Sequence, residues 1–311
     1  MNAAIHQATA VADKLTDEVG QVILGKDDEI RLALACVLAG GHLLIEDVPG
    51  VGKTLLARSL AVVLDLSFSR IQFTSDLMPA DVIGVTIYQQ TEARFQFHKG
   101  PLFAQLILAD EINRATPKSQ SALLEAMEEH QVTVDGETYA LPSPFFVIAT
   151  QNPVYQIGTF PLPESQLDRF LMRIGLGYPA EELERKLLCG DDRRNLLDQL
   201  EPLVGDASLI EMRAATRQIA VSDALLDYVQ ALVRFTRSAA EFELGLSPRA
   251  SVDLINAARA WALICGHAGV HPEDVQAVFP AVAGHRLRLR AEVDTAERQS
   301  GQFVLDSVPI P

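Results

Sequence analysis

The sequence predicts an α/β fold: a five-stranded parallel sheet flanked by helices, interrupted by two inserted β-hairpins and followed by a smaller all-helical domain. Three observations carry this reading. Five short apolar runs alternate with helical patterning through roughly the first 180 residues, two further stretches alternate apolar and polar residues around turn signals, and beyond Tyr178-Pro179 only helical patterning continues.

In chain order, an N-terminal helix comes first. The apolar runs are "HLLIEDV" (42–48), "RIQF" (70–73), "QLILADE" (105–111), "FFVIATQN" (145–152) and "MRIGLGY" (172–178). Strands covered by helices on both faces read as near-continuous apolar stretches, which is the pattern of a buried parallel sheet. Between them "KTLLARSLAVVL" and "SQSALLEAMEEH" carry helical spacing. "GVTIYQQTEARFQFHKG" and "QVTVDGETYALP" alternate in the manner of hairpins, the second turning at Asp135-Gly136. From Ala180 onward come "EELERKLLC", "SLIEMRAATRQI", "DALLDYVQALVRFTRSA", "SPRASVDLINAARAWALICG" and "HPEDVQAVFPAVAGHRLRL". The expected division is therefore an α/β domain over 1–179 and a helical domain over 180–311, with Ala291 to Pro311 partly disordered.

Bulk properties narrow the function. At 311 residues, with 48% hydrophobic and 22% charged residues, the chain can bury a core in about two domains. A net charge of −15 repels nucleic-acid backbones and anionic membranes. Cys36, Cys189 and Cys265 lie far apart without metal-ligand spacing, and read as buried small hydrophobes in a reducing compartment. The N-terminus has no signal pattern, and the most apolar run, Leu32 to Ile45, is too short to span a bilayer. A cytoplasmic location is expected.

The chemistry begins at "EDVPGVGKT". A strand runs into Pro49-Gly50-Val51-Gly52-Lys53-Thr54 and then a helix, the context of a phosphate-binding loop. Gly50 and Gly52 let successive backbone N–H groups turn inward around a phosphate, and the helix start adds partial positive charge. Lys53 is placed for the β- and γ-phosphates and Thr54 for Mg²⁺. The pattern G-x-x-x-x-G-K-[ST] asks for glycine where Asp47 stands; Pro49 offers the chain another way to turn.

Four further features fit this loop. "QLILADE" ends in Asp110, suited to steady Mg²⁺, and Glu111, suited to activate water. "FFVIATQN" ends in Asn152, suited to hold the γ-phosphate or the attacking water. "LPESQLDRF" sets Arg169 on a short helix; it either stabilises transition-state charge on a phosphoryl group or forms an ion pair with Asp168 or Glu164. "LSPRAS" places Arg249 at a helix start capped by Ser247, with Pro248 in the first turn.

This order of motifs resembles the AAA+ ATPases, and the wording of "EDVPGVGKT", "LADEINRATPKSQSALLEAMEE", "ATQNP", "GTFPLPESQLDRF" and "LSPRAS" resembles the MoxR family among them. The resemblance runs from about Val22 past Arg249. It implies that Asp47 is this family's usual form of the loop, and that the segment Asp47, Pro49, Gly50, Val51, Gly52, Lys53, Thr54 and Leu55 binds ATP or ADP. It further implies Thr54 and Asp110 on Mg²⁺, Glu111 as activator of water, Asn152 as first sensor, and Arg169 as a finger entering a neighbouring subunit. Arg249 would be a second sensor within its own subunit, and Gly25 of "VILGKDDEI" would mark the segment that packs on adenine. A homo-oligomeric ring, usually of six, is implied as well, with chaperone-like remodelling or maturation of client proteins and a partner bearing a von Willebrand factor A domain. Arg173 is an alternative finger, and Arg114 could touch either nucleotide or neighbour.

Other readings differ in class. One is an ATP-binding interaction switch with little hydrolysis; another is a magnesium-chelatase-like motor subunit. A nucleic-acid motor is disfavoured by the charge and by the absence of a basic stripe. No guanine-reading Asn-Lys-x-Asp segment occurs.

Overall fold

The structure, a computed structural model, describes residues 2–91, 93–152, 159–189, 196–290 and 296–310. Two helices, α1 (Asn2–Val22) and α2 (Asp27–Ala39), lead into β1 (Leu43–Glu46) and α3 (Lys53–Val63). Next come β2 (Phe68–Gln72), α4 (Pro79–Ile83), the hairpin β3 (Gly84–Gln89) and β4 (Arg94–Lys99), and β5 (Leu106–Asp110). Helix α5 (Pro117–Glu129) leads to the second hairpin, β6 (Gln131–Val134) and β7 (Glu137–Ala140), then β8 (Phe146–Gln151), α6 (Glu164–Leu167) and β9 (Met172–Ile174).

All five predicted strands are present. They form one parallel sheet in the order β2-β5-β8-β1-β9. Successive strand residues point to opposite faces, and the sheet uses this to build two cores. Leu43, Ile45, Leu106, Leu108, Phe146 and Ile148 face α1, α2 and α3. Leu44, Ile107, Ala109, Val147 and Ala149 face α5 and the segment around α4. Both hairpins form where alternation predicts them, the second turning through Asp135 (φ 52°) and Gly136 (φ 85°). That pair of left-handed residues is what a two-residue hairpin turn requires.

After β9 the chain is mainly helical: α7 (Glu181–Cys189), α8 (Asp206–Arg217), α9 (Asp223–Ser238), α10 (Pro248–Ile264), α11 (Pro272–Ala283) and α12 (Ala296–Ser307). A small ribbon joins β10 (Phe242–Leu244) to β11 (Arg288–Leu289). The helices α8 to α11 share one apolar core with α1 and α2. Among the described residues no helix is long and apolar enough to cross a membrane.

Three expectations can be set against the structure. Within the stretch expected to be partly disordered, Ala296–Ser307 form α12, whose Phe303 packs near Phe235 and Phe242 while Val304 is fully buried. Gly301 makes the approach possible, since a Cβ there would sit 2.8 Å from Pro280 of α11. Residues 291–295 and 311 of that stretch lie outside the described residues. Arg169 is not on a helix but in the turn beyond α6. Cys36 is buried as expected, whereas Cys265 is exposed at the end of α10, and the side chain of Cys189 lies outside the described residues.

Candidate functional site

At the C-terminal end of β1, Gly50 (φ 89°) and Gly52 (φ 100°) adopt the left-handed conformation, and Gly52 caps α3. A Cβ on Gly50 would meet nothing within 4 Å, so the loop borders open space on that side. Backbone amides curled in this way at a helix N-terminus form an anion cradle. Val51 and Leu55 pack partly buried against the adjoining core and hold the loop's outer wall.

Asp47 explains how the loop starts without glycine. It is buried, and its Oδ1 accepts a hydrogen bond from the Val48 N–H at 2.8 Å. Its Oδ2 accepts another from the Gly177 N–H beyond β9. The carboxylate therefore ties the first turn of the loop to the neighbouring strand end, a fixed contact that a glycine could not make. Ile23 lies 3.7 Å from where a Gly52 Cβ would stand, so the segment between α1 and α2 flanks the loop. Gly25 sits in that segment with Leu183 Cδ1 of α7 2.2 Å from its would-be Cβ, and its left-handed backbone (φ 66°) strains any larger residue there. Lys26 completes the junction by donating from Nζ to the Tyr178 carbonyl at 3.1 Å.

Lys53 reaches back across the loop. Its buried ammonium donates to the Asp47 carbonyl and, at 3.2 Å, to Asn152 Oδ1. Burial lowers its pKa from the ordinary lysine value, while the carboxylates of Asp47, Asp110, Glu111 and Glu46 oppose that shift. Asn152 Nδ2 donates in turn to Glu111 Oε1 at 3.2 Å. One amide thus links the phosphate lysine to the carboxylate suited to activate water. Asn113, also buried, fixes Asn152 by donating to its carbonyl at 3.0 Å. Pro153, which completes "ATQNP", lies outside the described residues.

Gln72, Thr150 and Arg70, which spacing did not reveal, complete the cluster together with Arg114. Gln72 donates to Glu111 Oε2 at 3.1 Å, and Arg114 approaches the same oxygen at 2.9 Å. Thr150 donates to Asp110 Oδ1 at 2.6 Å and accepts from the Glu111 N–H at 2.9 Å. Arg70 closes on Asp110 Oδ2 at 2.6 Å. Arg70 and Gln72 alternate with buried Ile71 and Phe73 along β2, a polar face that hinted at the site. Its target became clear only once β2 paired with β5, setting Gln72 opposite Asp110.

Arg169 and Arg249 lie elsewhere. Arg169 Nη1 meets Glu128 Oε2 at 2.8 Å, and Arg249 Nη1 meets Glu128 Oε1 at 3.2 Å. Glu128 ends α5 beside Met127, whose carbonyl accepts from His42 Nε2 at the start of β1. The arginine pair therefore sits at the opposite end of the strands from Lys53, about 15 Å away for a strand of this length. Within the chain, Arg249 is therefore not brought to the cradle. The reason is the docking of α10: Asp168 accepts from Ser247 Oγ at 3.3 Å and from Arg286 Nε at 2.8 Å, which pins the helix start to the segment before β9. Arg169 has neither Asp168 nor Glu164 as its partner; these are held by Arg286 and Arg288. Arg173, on β9, is paired with Glu46 at 2.9 Å and is less exposed than Arg169 (13% against 28% of the side chain).

Residues 42–172 match the model of the ATPase family associated with various cellular activities (AAA), and residues 234–305 match an AAA lid domain. Chaperone MoxR1 of Mycobacterium tuberculosis is 42% identical over 94% of this chain and 79% of its own. Protein MoxR of Methylorubrum extorquens is 33% identical over 96% and 95% respectively. A solved structure from Cytophaga hutchinsonii superposes with a TM-score of 0.90 at 39% identity, covering 99% of this chain and 97% of that one. With a phosphate cradle, a paired Asp-Glu strand end and this degree of similarity along its length, the chain belongs to the MoxR family of AAA+ ATPases.

Proposed function

We propose that the protein hydrolyses ATP with Mg²⁺ at the interfaces of a homo-oligomeric ring, six-membered by family precedent, and uses the cycle to remodel client proteins. The observation that carries this is the separation of two half-sites. Cradle, lysine, Asn152 and Glu111 stand at one end of the sheet, and Arg169 with Arg249 at the other. In the cradle half Arg114 and Arg70 are engaged by Glu111 and Asp110 themselves, so the guanidinium that phosphoryl transfer calls for is best supplied by the arginines of the other half. A head-to-tail interface brings such opposite ends together.

In this reading Gly50, Val51, Gly52 and Lys53 bind the phosphates. Thr54 and Asp110 hold Mg²⁺, which would neutralise phosphate charge. Asn152 sets Glu111 against water, and the segment around Gly25 flanks the base. Arg169, rather than Arg173, enters the neighbouring site, and Arg249 accompanies it because both are held by Glu128. Contact with clients is supported by the first hairpin, which exposes Val85, Ile87, Tyr88 and Phe95. Exposed apolar clusters of this kind mark interaction surfaces. A partner with a von Willebrand factor A domain and the magnesium-chelatase-like alternative rest on family resemblance alone.

One observation favours the second reading, a switch that binds ATP and barely turns it over. Arg70 and Arg114 occupy Asp110 and Glu111, an arrangement that holds both carboxylates away from metal and water. Substitution decides between them. Glu111→Gln is expected to lower steady-state turnover at least about 100-fold while a fluorescent ATP analogue still binds. Unchanged turnover would remove Glu111 from the mechanism.

A further inference from the structure

The helical lid carries a second cluster of metal-ligating side chains, in the loop "CGHAGVHPED" between α10 and α11. His267 Nδ1 stands 3.0 and 3.1 Å from the two carboxylate oxygens of Asp274. The rings of His267 and His271 stack with centroids 4.4 Å apart and 29° between planes. One ligand atom from each of the three residues lies within 4.8 Å of the others, and among the described residues no other group of three His, Cys, Asp or Glu meets that condition.

The loop is held from both sides before any ion arrives. The His267 N–H donates to the Ala262 carbonyl at 2.8 Å, closing the end of α10, with Gly266 in the left-handed conformation this closure needs (φ 76°). Gly269 pairs with Ala220, and the Val270 N–H donates to the Ala220 carbonyl at 2.8 Å. Asp274 is fixed by accepting from the His271 N–H at 2.8 Å. Backbone restraint on either side of each ligand is the preorganisation a metal site requires.

Charge points the same way. Asp274 is 1% exposed, and its one charge partner among the described residues is His267, a neutral ring unless protonated. A buried carboxylate needs compensation, and a divalent cation between it and two imidazoles supplies it. The edges of the site are open, since His271 is exposed and His267 half-buried.

We propose that His267, His271 and Asp274 bind a divalent cation of the Zn²⁺ type, with water completing the shell. Two imidazoles and one carboxylate suit a borderline ion better than Mg²⁺ or Ca²⁺, which prefer oxygen alone. In a tetrahedral shell the ligand atoms stand about 3.3 Å apart. The His267–Asp274 pair already has that spacing, and His271 attains it by turning its exposed ring. The bound ion would staple the end of α10 to the start of α11.

The test is Zn²⁺ titration of the full chain by calorimetry in excess Mg²⁺, which keeps oxygen-only sites filled, for wild type, His271→Ala and His98→Ala. His271 is exposed, so its replacement does not threaten the fold; His98, exposed on the first hairpin, is the control. One Zn²⁺ per chain is expected in wild type and His98→Ala, with affinity at least about tenfold weaker in His271→Ala. Zn²⁺ should raise the melting temperature of wild type but not of His271→Ala. Equal Zn²⁺ affinity in wild type and His271→Ala, or no binding by wild type, would overturn the site and leave Asp274 as the acceptor that caps α11 through the His271 N–H, with His267 beside it. Neither result bears on the ATPase assignment.

Discussion

Asp47 does at the residue scale what backbone freedom does in a loop that begins with glycine. Its two oxygens bind the N–H groups of Val48 and Gly177, so the loop is held by hydrogen bonds. Asp47→Ala should leave those amides without their acceptor, at about 1–3 kcal/mol, and weaken nucleotide affinity more than it lowers turnover; equilibrium binding alongside kinetics would measure both. His42 makes a second prediction. Its Nδ1 accepts from the Val147 N–H and its Nε2 donates to Met127, which defines a neutral ring. Burial is the main cause that lowers its pKa from 6.5 to about 4. The unfolded chain then takes up the proton first. Stability contributed by the neutral ring is complete above pH 6.5 and declines as pH falls toward 4, by about 3 kcal/mol in all. Unfolding free energies over that range should show the slope in wild type and a shallower one in His42→Leu; His285, also buried and lowered, accounts for a remaining part. Lys53, Asp110, Glu111 and Asn152 were legible in the sequence because each ends an apolar strand or opens a helix. Arg70, Gln72 and Thr150 were not, since their roles depend on which strands lie side by side.

At the scale of elements, continuous apolar runs identified the strands because a sheet covered on both faces leaves no solvent-facing position to break them. Asp135-Gly136 identified a hairpin because few residue pairs accept two left-handed conformations. The helix α12 was not legible: its apolar residues are few, and their burial depends on Pro280, Phe235 and Phe242, distant in sequence. The clamp between lid and sheet was equally hidden. Arg286, with only 4% of its side chain exposed, bonds the Asp168 and Asp253 carboxylates and the carbonyls of Asp168, Leu171 and Val282. Burial raises the Asp253 pKa and Arg286 opposes that shift. Arg286→Leu should cost about 1.5–3 kcal/mol, the usual worth of hydrogen bonds to a charged group, because the part-buried Asp168 and Asp253 carboxylates lose their partner. The loss would be seen in chemical denaturation, and Arg249 would lose its fixed place beside Arg169.

For the whole molecule, the proposed shared-site ATPase depends on two half-sites at opposite ends of one sheet. Motif order made both legible, but not which half each arginine joins. Arg249 follows the docking of α10, and that depends on Arg286 and Ser247 meeting Asp168. The most direct measurement mixes two inactive variants, Glu111→Gln and Arg169→Ala, and follows ATPase rate per subunit against total protein concentration. In a head-to-tail ring an intact Glu111 of one variant faces an intact Arg169 of the other at about one interface in four. Shared sites restore activity on mixing, and that activity rises with concentration as rings assemble. Mixtures no more active than either variant alone, with a wild-type rate independent of concentration, would contradict shared sites.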